Sequence, residues 1–199
     1  CDRACLSGFI TQYLEALVAH DPARLPVTTD VRFTENGVAV PLGEALWLTI
    51  GRLHDYRVDY LDTEAQQAAS HVAFVENDRP GLMALRLKIV GGRIAEIETV
   101  LNRGSPMAGS MPPVEALWTQ SESPSTRLSR AELAAQTENY LKAVSRSDGS
   151  LVKFSKNSCL RLENGNVMAY GPNDTPPVPL RPVSDPDSWT AAVRKTMGM

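Results

Sequence analysis

Between Asp55 and Arg103 polar and apolar side chains alternate in four successive runs, DYRVDYLD, SHVAFVEN, LMALRLKIV and RIAEIETVL. A period of two puts neighbouring side chains on opposite faces of an extended chain, so each run reads as a strand with one buried face. In the third run Met83, Leu85, Leu87 and Ile89 share one face while Arg86 and Lys88 share the other. That is the pattern of a half-buried antiparallel strand. Turn signals separate the later runs: Asn77-Asp78-Arg79-Pro80-Gly81, then Gly91-Gly92, which suits a two-residue hairpin. The stretch is therefore expected to fold as a meander.

Upstream the period is 3.6. Leu6, Phe9, Ile10, Tyr13, Leu14, Leu17 and Val18 fall on one helical stripe, which predicts a helix over 3–19. His20-Asp21-Pro22 ends it, because proline cannot continue the hydrogen-bond ladder and restricts the residue before it. A strand is expected at about 31–34, a tight turn at Asn36-Gly37, and a returning strand in VAVP. Residues 43–53, GEALWLTIGRL, read as a further helix. Helices segregated from a long meander imply an α+β fold.

The pattern then restarts. Residues 104–127 are rich in Pro, Ser and Gly and read as a linker. Ser129-Arg130-Ala131-Glu132 forms a capping box for a helix carrying Leu133, Tyr140, Leu141 and Val144. YLEALVAHD (13–21) aligns with YLKAVSRSD (140–148), and VRFTENG (31–37) with LRLENG (160–165). DPDSWTAAVRKTM (185–197) would repeat the 43–53 helix, with Trp189 in the part of Trp47. Recurrence in the same order marks an internal repeat. The expected organisation is a complete domain at 1–103, a linker at 104–127 and a partial second copy at 128–199. No alternating strands follow in the second copy. The natural chain is expected to continue, unless another chain or the first domain covers its helices.

Composition sets outer bounds. Hydrophobic residues make up 43% and charged residues 22%, which is enough apolar mass for a core. A net charge of −3 gives no electrostatic reason to expect nucleic acid, and no apolar run is long enough to span a bilayer. Cys1, Cys5 and Cys159 allow one disulfide and one remaining thiol, and the sequence does not choose the pair. A bridge tying down the N-terminus is the expected role. The first residue is Cys1 rather than Met, which a removed signal peptide or a trimmed chain would explain, and an exported protein is expected. No phosphate loop, nucleophile triad or metal-ligand spacing is present, so neither metal nor organic cofactor is expected.

The helix with Tyr-Leu-x-Ala, the aspartate turn, the short strand pair, the helix and the meander together resemble the nuclear transport factor 2-like, or SnoaL-like, cone fold. The resemblance covers 3–103 well and 128–197 in part. CDRACL, RFTENG, PLG-x-x-LW and LRLKI…IAEIETV further resemble an exported fungal and bacterial family of unassigned function, often with two such domains in tandem. The resemblance implies a cone-shaped, curved antiparallel sheet packed on N-terminal helices around a pocket. Many members resemble small enzymes, among them ketosteroid isomerase, scytalone dehydratase and polyketide cyclases. Others bind ligands or mediate dimerisation, so the fold does not fix the function.

Matching the ketosteroid isomerase pattern puts Tyr13 at the position of a phenol that polarises a carbonyl, and Glu35 at that of a proton-shuttling carboxylate. A carboxylate in an apolar pocket can act as a base, and a buried phenol can stabilise an oxyanion. The second acid of that pattern falls near Leu85, which argues against steroid isomerisation. His71, on a strand with Ala73 and Val75, is the histidine best placed to be a third catalytic group. Phe33, Asn36, Trp47 and Tyr60 are the expected substrate-binding residues. Against each stands a plainer role: a core tyrosine, a hairpin carboxylate, a tolerated strand histidine. Asp59 and Asp62 read as solvent-facing, His20 and His54 as surface residues, and Glu96 or Glu98 as a possible inward carboxylate. The expected activity is a cofactor-independent lyase, dehydratase or isomerase acting on a small hydrophobic, aromatic or polyketide-like molecule. The alternative is a non-catalytic binding or assembly module, and association through the sheet is expected in either case.

Overall fold

The computed structural model describes residues 1–104, 123–153, 160–163 and 166–170. The chain divides into two compact units, Cys1–Glu115 and Ala116–Met199.

In the first unit, helix α1 spans Arg3–Val18 and is capped by the Asp2 side chain, which accepts from the Cys5 amide. Its predicted stripe is buried from Leu6 to Leu17. Cys1 pairs with Cys5, and the Cys1 backbone exchanges hydrogen bonds with the Gln66 side chain, so the N-terminus is tied to a sheet turn. A 3-10 turn, Pro22–Arg24, follows under an Asp21 cap. Strands β1 (Val27–Glu35) and β2 (Val38–Ala39) form the Asn36-Gly37 hairpin. Helix α2 (Leu46–Thr49) precedes the meander β3 (Ile50–Asp62), β4 (Gln67–Glu76), β5 (Arg79–Val90) and β6 (Arg93–Arg103). The six strands form one curved sheet in the order β2-β1-β6-β5-β4-β3. The meander is antiparallel throughout, but β1 joins β6 in parallel, so the sheet is mixed. α1 packs across its inner face, closing a core that includes Phe33, Trp47, Phe74, Met83, Leu85 and Ile97.

Three local expectations are corrected. The helix expected over 43–53 shrinks to Leu46–Thr49, because Ile50 and Arg52 are drawn into the ladder opposite Glu76 and Val75. The long turn at 77–81 tightens to Asn77-Asp78, both at positive φ, and Pro80 and Gly81 belong to β5. On β6 the register shifts after Ile94, so Ile94 faces the core while Glu96 and Glu98 face outward to Arg86. An extra residue at a bulge reverses the alternation, which periodicity alone cannot reveal.

A fourth difference concerns β3. Asp59 points inward, against α1. Its carboxylate takes two hydrogen bonds from Arg57 (2.9 and 2.7 Å), one from Ser7 (2.9 Å) and one from Ser70 (2.8 Å). Arg57 also donates to Thr11 Oγ1 at 3.0 Å, which clips the helix to the sheet. Burial acts to raise the Asp59 pKa, but the hydrogen bonds from Arg57, Ser70 and Ser7 outweigh it and hold the carboxyl below its ordinary value. A carboxyl depressed in the folded state stabilises fully above its unfolded pKa, and that contribution disappears as pH falls through the folded value. Asp59→Asn should therefore cost about 1–2 kcal/mol at neutral pH, since hydrogen bonds to a charged group are lost. Urea unfolding at pH 7 and near pH 3 checks this: the difference between variant and parent should shrink in acid. An equal difference at both pH values would exclude the network as its source.

The second unit repeats the devices of the first. Helix α3 (Arg130–Arg146) starts with the predicted Ser129/Glu132 capping box and ends at Ser147 with φ 53°, as α1 is followed by His20 at φ 54°. Asp148 then caps a 3-10 turn, Gly149–Leu151, as Asp21 does in the first unit. β7 (Leu160–Glu163) and β8 (Asn166–Tyr170) pair as the second hairpin. This is a partial second copy of helix, aspartate turn and hairpin. Cys159 and the predicted helix with Trp189 lie outside the described residues.

Candidate functional site

Four of the predicted residues converge where α1, the end of β1 and α2 meet. Tyr13 lies on the inner stripe of α1 and is 1% exposed. Phe33 and Glu35 alternate with outward Thr34 near the end of β1, so both face the core. Trp47, on α2, is 1% exposed and meets the Tyr13 ring edge-on, with centroids 5.4 Å apart. Burial pushes the Tyr13 phenol well above its ordinary pKa. The Trp47 indole N–H acts in the other direction, and the nearby Glu35 charge, a smaller effect, raises it. The hydroxyl stays protonated and can only donate or accept a hydrogen bond. The Trp47 indole Nε1 is buried and lies close enough to the Tyr13 hydroxyl to favour its anion.

Glu35 is 9% exposed and both its oxygens are engaged. Oε2 accepts from the Leu46 amide at 3.1 Å, the first residue of α2. Oε1 accepts from Arg103 Nη2 at 2.7 Å. Arg103 also donates through Nε to Glu76 at 2.6 Å, and Glu76 in turn receives the Thr49 hydroxyl at 2.5 Å. The carboxylate thus joins the ends of β1 and β6 to the start of α2. Each oxygen keeps a second lone pair, so these two bonds orient the carboxylate without filling all of its acceptor sites.

Asn36 is exposed and its side-chain oxygen accepts from the Leu101 amide at 2.8 Å, stapling the hairpin to β6. Two candidates lie elsewhere. His71 and Tyr60 are on the outer sheet face, directly opposite Val58 and Ala69 respectively on the neighbouring strand. His71 lies against the Tyr56 ring, at 6.1 Å between centroids, and burial lowers its pKa. The two-residue period is the cause: Val72 and Phe74 take the core side, which leaves His71, Ala73 and Val75 outside. His71 and Tyr60 are therefore separated by the sheet from Tyr13 and Glu35.

Arg103 and Glu76 were not singled out from the sequence, and His20 was read only as a surface residue. His20 is exposed, as expected of a helix end, but its Nδ1 lies 2.5 Å from the Trp47 carbonyl and holds the far side of α2. Their only sequence signal is position at element ends, which many surface residues share. Depressions of about 420, 400 and 310 Å³ open beside α1 and the 3-10 turn, beside Arg103 and Arg79, and beside Tyr60 and Arg86. None of these three is lined by Tyr13, Glu35 or Trp47. Among the described residues no group of three or more His, Cys, Asp or Glu is placed to hold a metal, and no helix is long and apolar enough to cross a membrane.

Several solved structures are similar to the chain. One is a candidate polyketide cyclase from Xanthomonas campestris, 14% identical, covering 50% of this chain and 92% of its own, with a TM-score of 0.41. Another is a candidate ketosteroid isomerase from Kribbella flavida, 13% identical, covering 63% and 96%, with a TM-score of 0.37. A third, from Catenulispora acidiphila, has a ketosteroid isomerase-like fold and was solved with trimethylamine, at 14% identity, 46% and 82% coverage and a TM-score of 0.34. Likeness at this level transfers no activity. No curated protein matches the sequence. The model of a domain of unknown function, DUF8021, matches residues 1–101 and 126–194, in line with a complete and a partial copy, and the chain belongs to that family.

Proposed function

We propose that residues 1–103 form a non-catalytic assembly module of an exported protein, which pairs with a second copy of the chain through the outer sheet face. One observation carries this reading: Tyr13, Phe33, Trp47 and Glu35 are all buried, and none of the three depressions described above is lined by Tyr13, Glu35 or Trp47. The interior residues that would line a pocket are instead packed together. The outer face has the chemistry of an interface. Tyr60 and Val100 are 59% and 62% exposed, beside a ladder in which Arg86 pairs with Glu96 and Glu98. Arg32 and Lys88 flank it, so the face carries both signs and can meet a copy of itself across a two-fold axis. The Cys1–Cys5 bridge supports an oxidising compartment, where disulfides persist.

Light scattering on the full chain should return a dimer, and Val100→Asp should shift it to monomer by burying a charge at the contact. A strict monomer at high concentration would overturn the reading. The second reading is a lyase, dehydratase or isomerase acting on a small aromatic or polyketide-like molecule. The convergence of Tyr13, Phe33, Trp47 and Glu35 favours it. There Glu35→Gln should abolish turnover in a panel of such compounds, and unchanged turnover would remove Glu35 from the role.

A further inference from the structure

We infer that the outer sheet face carries a sugar-binding site at its β3–β4 end, where the Tyr60 ring stacks on a neutral pyranose and Gln67 bonds its hydroxyls. The site lies across the sheet from Tyr13 and Glu35, and the inference does not depend on pairing with a second copy.

The register of three strands builds it. Ala69 stands opposite Tyr60 on one side and opposite Arg86 on the other. Two long side chains therefore flank a methyl group, and the gap over Ala69 opens as the depression of about 310 Å³. That volume is at the low end of the range for small-molecule sites, about 300–1,000 Å³. Further along the same strands, Asp62 stands opposite Gln67 and completes the rim. Tyr60 is 59% exposed, so an aromatic face is open to a ligand.

The polar groups are held in position before anything binds. Arg86 donates to Gln67 Oε1 at 2.9 Å and also to Glu96 and Glu98, which fixes the plane of the Gln67 amide. Asp62 Oδ1 accepts from the Glu64 and Ala65 amides at 3.1 and 2.9 Å. The adjoining turn is tied to the N-terminus, through Gln66 to Cys1 and through Arg3 to the Leu61 carbonyl. Side chains fixed in this way lose little entropy when a ligand arrives.

The groups left open decide the ligand. The Gln67 side-chain nitrogen and the Tyr60 hydroxyl bond no other described residue, and each can meet a hydroxyl group. Arg86 is the cation among the lining residues, and its charge is taken by two carboxylates, so an anion finds no unspent positive charge. A wholly apolar ring would cover the two open polar groups without satisfying them. A sugar ring meets both demands. Its C–H face lies against the negative face of an aromatic ring, and its edge carries hydroxyls.

The test titrates the full chain with three neutral probes, cellohexaose, chitohexaose and laminarihexaose, by calorimetry. At least one should bind saturably. Tyr60→Ala should weaken that binding about tenfold or more, through loss of the stacked ring and of the area it buries. Tyr60→Phe keeps the ring and should stay within about threefold of the parent, and Gln67→Ala should cost about fivefold. Both positions lie on the outer face, so unchanged melting temperatures should accompany these losses. Val100, three strands away, serves as a control: Val100→Asp should leave the affinity intact or raise it, because a second copy would compete for Tyr60. A parent protein that binds none of the three probes would overturn the inference. So would a Tyr60→Ala protein that binds as tightly as the parent, or a Val100→Asp protein that loses binding, since either places the sugar elsewhere.

Discussion

Replacing Glu35 by alanine should destabilise the first unit by about 3 kcal/mol, the low end of the range for breaking a buried ion pair, because Arg103 is 40% exposed and can recover water. Two losses combine. The Leu46 amide at the start of α2 loses its acceptor, and Arg103 is left bonded to Glu76 alone. Glu35→Gln retains an acceptor for the amide and loses only the charge, so its cost should be about half as large. The two substitutions thus separate the clasp from the charge. Denaturant unfolding followed by circular dichroism reads both, and a double-mutant cycle with Arg103→Met should show coupling of about 1 kcal/mol or more. An alanine variant as stable as the parent would mean that the carboxylate is dispensable to the fold, and its conservation of two bonds here would need another explanation.

A larger loss is expected for Gly81→Val. Gly81 stands directly opposite Phe74, whose ring folds over it: a Cβ at position 81 would lie 2.5 Å from the Phe74 Cζ and within 3.0 Å of two further ring atoms. Phe74 is fully buried among core side chains. Overpacking of this kind usually costs about 1–3 kcal/mol, and a whole isopropyl group set against a buried ring should take it to about 3 kcal/mol or more. Phe74→Leu in the same chain should recover part of the loss, because it removes the obstructing ring. Thermal melts of the single and double variants give the answer. A Gly81→Val protein with an unchanged melting temperature would show that the core yields at this point.

Much of this architecture was legible from residue order. The stripe from Leu6 to Leu17 specified α1, Gly91-Gly92 specified a hairpin, and the Ser129/Glu132 pair specified the start of α3. Each is a local device whose outcome depends on residues within a turn or two. The repeat was visible for the same reason: each copy carries its aspartate cap and its Glu-Asn-Gly hairpin in its own short segment. The candidate site was legible only in its members. Tyr13, Phe33, Glu35 and Trp47 do converge, whereas His71 and Tyr60 lie across the sheet.

The sequence by itself determined where chain direction and period change, and hence an α+β unit followed by part of another. Which face of each strand meets α1 was decided only in three dimensions. On β3 the apolar-looking set of Tyr56, Val58 and Tyr60 faces outward, while Arg57 and Asp59 turn in to bond Ser7 and Thr11. On β6 one inserted residue reverses the faces after Ile94. Alternation fixes two faces without saying which is buried. The choice belongs to partners tens of residues away, and the same long-range contacts turn Glu35 from a hairpin carboxylate into the clasp of α2.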